Sequence, residues 1–288
     1  MTTTGERAVR PRRSFIFSPG LQPEMFPKAL ASGADIVCVE LEDGIAPKDK
    51  DEARGQALAL FAGPQADDGV ERIVRINCLR TAFGLADVQA VLASETPPPA
   101  LMLPKVMGAD EIVWLDELLT ERGHDTRLHV IIETNAGLEA VSEIARASTR
   151  LDALFFGGVD MAAELRCKNA WEPLLYARSR VVHAAAGAGL DVIDVPYLDL
   201  EDLDGMEREA CLARDLGFSG KGAIHPKQIA ALNRVFTPDA AAIDHARRII
   251  AAFEAADTGL VVIDGKLIEK PVLRDMHRIL AIADRISG

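Results

Sequence analysis

Glu133 and Asp160 each lie just past a short, almost wholly apolar run, RLHVII before the first and ALFFGG before the second. A strand buried on both faces reads as a continuous run of Val, Ile, Leu and Phe, and an acid beyond its carboxyl end sits at the mouth of a parallel sheet. That end is where α/β enzymes keep their chemistry. Two carboxylates completed by water and substrate oxygens suit Mg²⁺, a hard ion that seldom receives a full protein cage, and Mn²⁺ fits the same donors. No His sits beside either acid, which argues against zinc. Taken singly, each acid also reads as a helix N-terminal residue, Glu133 before Thr134 and Asp160 before MAAEL. The pair, at the ends of consecutive strands, reads as a metal site.

The same strand-end logic selects Ser18, Glu42, Asp43, Arg75, Asn77, Lys105, Asp194 and His225. Arg75 is suited to clamp a carboxylate bidentately, or to pair with Glu42 or Asp43. Adjacent acids leaving a strand alternate, so one of Glu42 and Asp43 faces the mouth, and Asp43 is assigned there as an outer partner of metal-bound water. His225 reads either as part of the chemistry or as a buried, hydrogen-bonded ring. The chain has no GxSxG elbow, no Cys–His pairing and no Walker loop, and Gly220-Lys221-Gly222 is too short for a phosphate loop.

Eight strand-like runs precede or alternate with helix-patterned stretches: 14–19, 35–42, 72–77, 100–105, 127–133, 153–158, 191–196 and 220–226. Strands alternating with helices predict parallel βαβ units, and eight of them predict a closed (β/α)8 TIM barrel. The predicted organisation is a mobile N-terminal arm over 1–12, the barrel over 13–236, and a helix–hairpin–helix extension over 237–288. An isolated hairpin is marginal in water, so GLVVIDGKLIEKP within that extension must pack on its own barrel or on a neighbouring subunit.

The 288 residues carry 32 Lys and Arg against 44 Asp and Glu, a net charge of -12, which argues against a nucleic-acid partner. No run reaches the roughly 18 apolar residues that span a membrane, and SFIF is too short for a signal peptide. The four cysteines are widely spaced, so they read as reduced core residues of a cytoplasmic protein.

RSFIFSPG (13–20), GADIVCVELEDGIAPKDKDEAR (33–54), VRIN (74–77), LPKV (103–106), ETNAG (133–137), FFGGVDMAAEL (155–165) and GAIHPKQI (222–229) follow one another in an order that resembles the citrate lyase beta-subunit family. That family includes malyl-CoA, citramalyl-CoA and citryl-CoA lyases and lies within the HpcH/HpaI aldolase superfamily. The resemblance implies a TIM barrel that binds Mg²⁺ and a CoA thioester and cleaves it reversibly to a 2-oxo acid and an acyl-CoA. It implies Glu133 and Asp160 as metal ligands, Arg75 as the holder of the 2-oxo acid carboxylate and Asp43 as the acid near the metal waters. It assigns CoA contacts to Phe17, Ser18 and Pro19, to Lys105, and to His225 and Pro226. It further implies a homo-oligomer, trimer or hexamer, in which the C-terminal segment crosses to a neighbour and supplies a catalytic acid. Glu269 takes that place, where the family pattern has Asp, with Asp264 as the alternative. An aldolase acting without CoA, a CoA-ester thioesterase and a non-catalytic beta-like subunit of a lyase complex are the competing readings.

Overall fold

The computed structural model describes residues 10–256, 260–269 and 272–287. Eight parallel strands close into a barrel in sequence order: β1 (Ser14–Pro19), β2 (Ile36–Glu40), β3 (Glu71–Arg75), β4 (Ala100–Leu103), β5 (Arg127–Ile132), β6 (Leu151–Phe156), β7 (Asp191–Asp194) and β8 (Gly220–Ala223). β8 returns to β1 through Ser14↔Lys221, Phe15↔Gly222 and Ile16↔Ala223. The eight-strand TIM barrel expected from the sequence is therefore present, with each strand inside or within two residues of its predicted run.

Alternate strand positions fill the barrel. Phe15, Ile36, Cys38, Ile73, Met102, Ile131, Phe155 and Ile193 are buried in one cluster, with Phe17 packed against it. The intervening residues, such as Ile16, Val37, Val74 and Leu154, are also buried, because helices cover the outside of the sheet. This double burial is why the strands read as unbroken apolar runs. One register shift, between Leu128 and His129 on the β5–β6 pair, marks an irregularity at the amino end of the sheet.

The described chain divides into two compact units, Arg12–Asn233 and a second that takes Arg234 onward. Arg12, assigned to a mobile arm from sequence, is a correction: it is buried, with its guanidinium on Glu71 and Asp191. The first nine residues of that arm lie outside the described residues.

The second unit contains the helix Ala240–Glu254, the antiparallel pair β9 (Leu260–Ile263) and β10 (Lys266–Glu269), and the helix Leu273–Ser287. Ile268, Val261 and Ile263 pack with Ala246, Ile249 and Met276 from the flanking helices. The hairpin thus finds a partner the sequence reading did not name, the two helices of its own unit. Leu260, Val262 and Leu267, on its other face, are exposed.

Candidate active site at the carboxyl ends of the strands

Glu133 is the first residue beyond β5 and is 3 % exposed. Its Oε1 accepts a 2.8 Å hydrogen bond from the Lys105 backbone N–H, and Thr134, not Glu133, caps the following helix by accepting from Gly137 N. Lys105 reaches this position with φ of 53°, a left-handed conformation uncommon for a residue bearing a Cβ. Gly157 makes the remaining room: a Cβ there would lie 2.4 Å from Glu133 Oε2. Burial first, then the charges of Asp160 and Glu42, push the Glu133 carboxyl up to about 7. Asp160, partly exposed, stands in the first turn of the helix Gly158–Leu165 and makes no cap there. A buried carboxylate raised by two acidic neighbours is a group short of positive charge, and an all-oxygen donor set matches a hard divalent ion. The residues present therefore fit Mg²⁺ or Mn²⁺.

Across the mouth, three acids face two cations. Arg75, the last residue of β3, puts Nε 2.5 Å from Glu40 Oε2 and Nη1 3.2 Å from Glu42 Oε2, while its guanidinium lies over the Phe17 ring at 4.5 Å. Lys105 Nζ is bonded to Glu42 and lies 2.9 Å from Asp43 Oδ2. Burial raises the Glu42 carboxyl against the pull of Arg75 and Lys105, whereas Asp43, exposed, is lowered because Lys105 outweighs its partial burial. Burial alone would lower Lys105, but its bonds to Glu42 and Asp43 raise it.

The expected alternation of Glu42 and Asp43 fails because β2 ends at Glu40. Beyond it one backbone bond, Leu41 N–H to Arg75 O, remains before the chain turns, and both acids reach the same ammonium. Glu42 is the inner one of the two, buried, with its N–H on Glu40 Oε1 at 2.5 Å. Glu40 itself was missed. It lies in strand parity with Cys38, a barrel-interior residue, and that parity was the signal available. Lys50 and Gly157 were missed too.

The other expected positions scatter. Ser18 is buried on the strand face opposite Phe17, with an unpartnered hydroxyl, so it does not present itself at the mouth. Pro19, His225 and Pro226 are exposed. His225 is not the buried ring considered from sequence: its Nδ1 accepts from Lys227 N and closes a capping box with Gln228. Asp194 points away from the interior, since Ile193 takes the inner position. It is ion-paired to Arg178 at 2.9 Å and Lys221 at 2.5 Å, and Glu209 completes that buried network. Only Cys38 among the cysteines is a core residue, although all four are free thiols. In the second unit, Asp264 occupies a positive-φ turn position with Gly265 and pairs with Arg248 at 3.1 Å, whereas Glu269 is exposed opposite Leu260.

A second charged cluster lies at the amino ends of the strands. Glu71, His129 and Asp152 bring ligand atoms within 4.8 Å of one another. Arg12 already occupies that cluster, with Nε 2.7 Å from Glu71, Nη1 2.7 Å from Asp191 and Nη2 3.5 Å from Asp152. A guanidinium bonded to these acids supplies the charge a metal would bring. That cluster therefore carries its own counter-charge.

Comparison with known proteins shows the family. The profile of the HpcH/HpaI aldolase/citrate lyase family matches residues 13–226. An L-malyl-CoA/beta-methylmalyl-CoA lyase of Cereibacter sphaeroides is 34% identical, covering 97% of this chain and 96% of its own. The citrate lyase subunit beta of Escherichia coli is 33% identical, covering 98% and 96%. Among solved structures, the CitE protein of Mycobacterium tuberculosis in complex with magnesium, acetoacetate and coenzyme A is 29% identical. It superposes with a TM-score of 0.76, over 98% of this chain and 100% of that one.

Proposed function

The chain belongs to the HpcH/HpaI aldolase/citrate lyase family, and from that premise we propose that it is a Mg²⁺-dependent lyase of CoA thioesters. Its substrate would be a 3-hydroxyacyl-CoA of the malyl-, citramalyl- or citryl-CoA type, split reversibly into a 2-oxo acid and acetyl-CoA or a related acyl-CoA. The observation that carries this reading is the Glu133 carboxylate, raised by burial and by Asp160 and Glu42, with Glu42 itself 3.2 Å from the Arg75 guanidinium.

Glu133 and Asp160 would hold the ion. Bound there, Mg²⁺ supplies Lewis-acid stabilisation of the substrate oxygens. Arg75 has Nε and Nη1 engaged by Glu40 and Glu42, so Nη2 would meet the substrate carboxylate, with Phe17 fixing the plane of the guanidinium. Asp43, steadied by Lys105, would accept from water near the ion. Passage of the hydroxyl proton to that water, with Asp43 accepting behind it, and breaking of the carbon–carbon bond would leave the electron pair on the thioester fragment as an enolate. Glu269, delivered by the extension of a neighbouring subunit, would protonate that carbon and act as base in reverse. Asp264, committed to its turn and to Arg248, is the weaker choice. The exposed Pro19, His225 and Pro226, with Lys105, would line the approach of CoA. Phe17 and Ser18 fit that role less well, the first because it underlies Arg75 and the second because it is buried.

A coupled assay of the purified protein with Mg²⁺ and malyl-CoA, citramalyl-CoA or citryl-CoA tests the proposal. Release of a 2-oxo acid that stops on chelation is expected; thiol release without one would instead make it a thioesterase. A beta-like subunit acting on a carrier-bound thioester is the second reading, since the malyl-CoA lyase and citrate lyase matches cover 97% and 98% of this chain. Inertness toward every free CoA ester would favour it. Full activity in Glu269→Gln would remove that residue from the mechanism.

A further inference from the structure

Lys50 opens the helix Lys50–Ala59 and is only 7 % exposed. Its ammonium spends all three N–H groups on the chain: Leu41 O at 2.9 Å, Glu42 O at 2.6 Å and Asn77 Oδ1 at 2.6 Å. None remains for a substrate. The acceptors are themselves fixed. Asp87, 1 % exposed, accepts both the backbone N–H and Nδ2 of Asn77 at 2.7 Å through Oδ2, which orients the amide with its oxygen toward Lys50. Arg54, one turn along from Lys50, donates from Nε to the other Asp87 oxygen at 2.6 Å. The chain Arg54–Asp87–Asn77–Lys50 therefore ends on the two carbonyls of Leu41 and Glu42. That segment is just past β2, where one backbone bond, Leu41 N–H to Arg75 O at 3.0 Å, ties it to β3, and it carries the acid bonded to Lys105 and paired with Arg75.

Burial lowers the Lys50 ammonium, opposed by Glu42 and Glu40, so keeping a cation here has a cost that only a specific arrangement repays. A neutral residue would take this donor from the Leu41 carbonyl and the Asn77 amide oxygen and leave the Glu42 carbonyl to the Ile45 N–H at 3.0 Å.

We propose that Lys50 is a positioning residue of the mouth: its buried ammonium tethers the Leu41–Glu42 backbone and so aims the Glu42 and Asp43 carboxylates at the ion and substrate. The inference rests on the metal-bearing mouth proposed above. It predicts that Lys50→Met, which keeps length and removes the donors, weakens Mg²⁺ binding to the substrate-free protein by about 10-fold and lowers kcat by about 10- to 100-fold, the usual range for outer support of a metal site. KM for the CoA ester moves less than kcat. Methylammonium restores Mg²⁺ affinity to Lys50→Ala, and methanol does not. Asn77→Ala, which spares the cation and removes one acceptor, weakens Mg²⁺ binding in the same direction, and the two substitutions combine with less than additive effect. A folded Lys50→Met with wild-type Mg²⁺ affinity and kcat overturns the proposal. Where Lys50→Met does not fold, unchanged Mg²⁺ affinity in Asn77→Ala overturns it, as does equal rescue of Lys50→Ala by methanol. Calorimetry of Mg²⁺ needs no substrate, so a wild-type protein that binds the ion and cleaves no ester sinks the lyase reading while leaving the Lys50 test intact.

Discussion

The two ends of the barrel are built from the same kinds of residue and are electrostatically opposite. At the amino end Arg12 bridges Glu71 and Asp191, Arg127 holds Asp152, and the acids are all paired with cations. Burial would raise the Glu71 carboxyl, but His129 and Arg12 outweigh it and hold the group well below the usual carboxylate range. At the carboxyl end Glu133 is as deeply buried, yet the acids around it push its carboxyl up to about 7. A satisfied cluster stores stability, and an unsatisfied one is poised to take a cation. The lesson is that the presence of acids does not mark the site; the missing counter-charge does.

Removing Glu133 breaks the comparison at its strongest point. Glu133→Gln should abolish measurable Mg²⁺ binding by calorimetry and cut lyase turnover about 1000-fold or more, since a metal's charge stabilisation is worth several kcal/mol. The metal-free variant should melt no lower than wild type, because a strained buried carboxylate has been replaced by a neutral amide of the same shape. A lower melting temperature with retained Mg²⁺ binding would show the mouth to be structural after all.

The converse change is Arg12→Met. It leaves Glu71 and Asp191 buried without their cation, and breaking such a pair costs about 3–5 kcal/mol. Urea denaturation should report that loss, while Mg²⁺ affinity of the folded protein stays at the wild-type value. A drop in Mg²⁺ affinity would contradict the separation of the two ends.

Titration gives the ends opposite signs. In the metal-free protein Glu133 has a folded-state pKa of about 7 against an ordinary 4.5, so the native state keeps a proton that the unfolded chain has lost. Stability is then highest below pH 4.5 as far as Glu133 is concerned, and falls by about 3 kcal/mol as pH rises to 7. Glu71, lowered, contributes stability above its ordinary 4.5 that is lost only as pH falls further. Denaturation of chelator-treated protein at pH 5 and pH 8 should show the mouth's slope alone. Glu133→Gln should flatten it, and Arg12→Met should leave it.

Much of this was legible from the residues. β5 and β6 are covered on both faces, so both strands were legible, although β6 ends at Phe156 rather than at Gly158 as read, and Glu133 and Asp160 follow one and four residues beyond them. The run IVCVELE was harder. Its apolar character continues to Leu41 although pairing stops at Glu40, and one misplaced strand end hid Glu40 and misassigned the parity of Glu42 and Asp43. Lys50 lies on the buried stripe of its helix with Ala53 and Ala57, at spacing i, i+3, i+7, but a lysine at a helix start ordinarily reads as solvated. The role of Arg12 was invisible because its partners Glu71, Asp152 and Asp191 are distant in sequence and meet only when the barrel closes.

The finest test of the comparison is a single methyl group. Gly157 lies directly after β6, and a Cβ there would stand 2.5 Å from Glu133 Cβ as well as against its carboxylate. Because a Cβ moves only with its own backbone, Gly157→Ala should push the end of β5 aside and carry the Glu133 carboxylate with it. Overpacking of that kind costs about 1–3 kcal/mol, and a displaced ligand should weaken Mg²⁺ binding by about 10-fold. The amino-end cluster, at the opposite end of the strands, should be untouched, so the loss of stability on acidification below pH 4.5 should match wild type. If Mg²⁺ affinity survives Gly157→Ala unchanged, Glu133 has freedom that a fixed ligand lacks, and the contrast between a poised mouth and a locked base would have to be redrawn around Asp160.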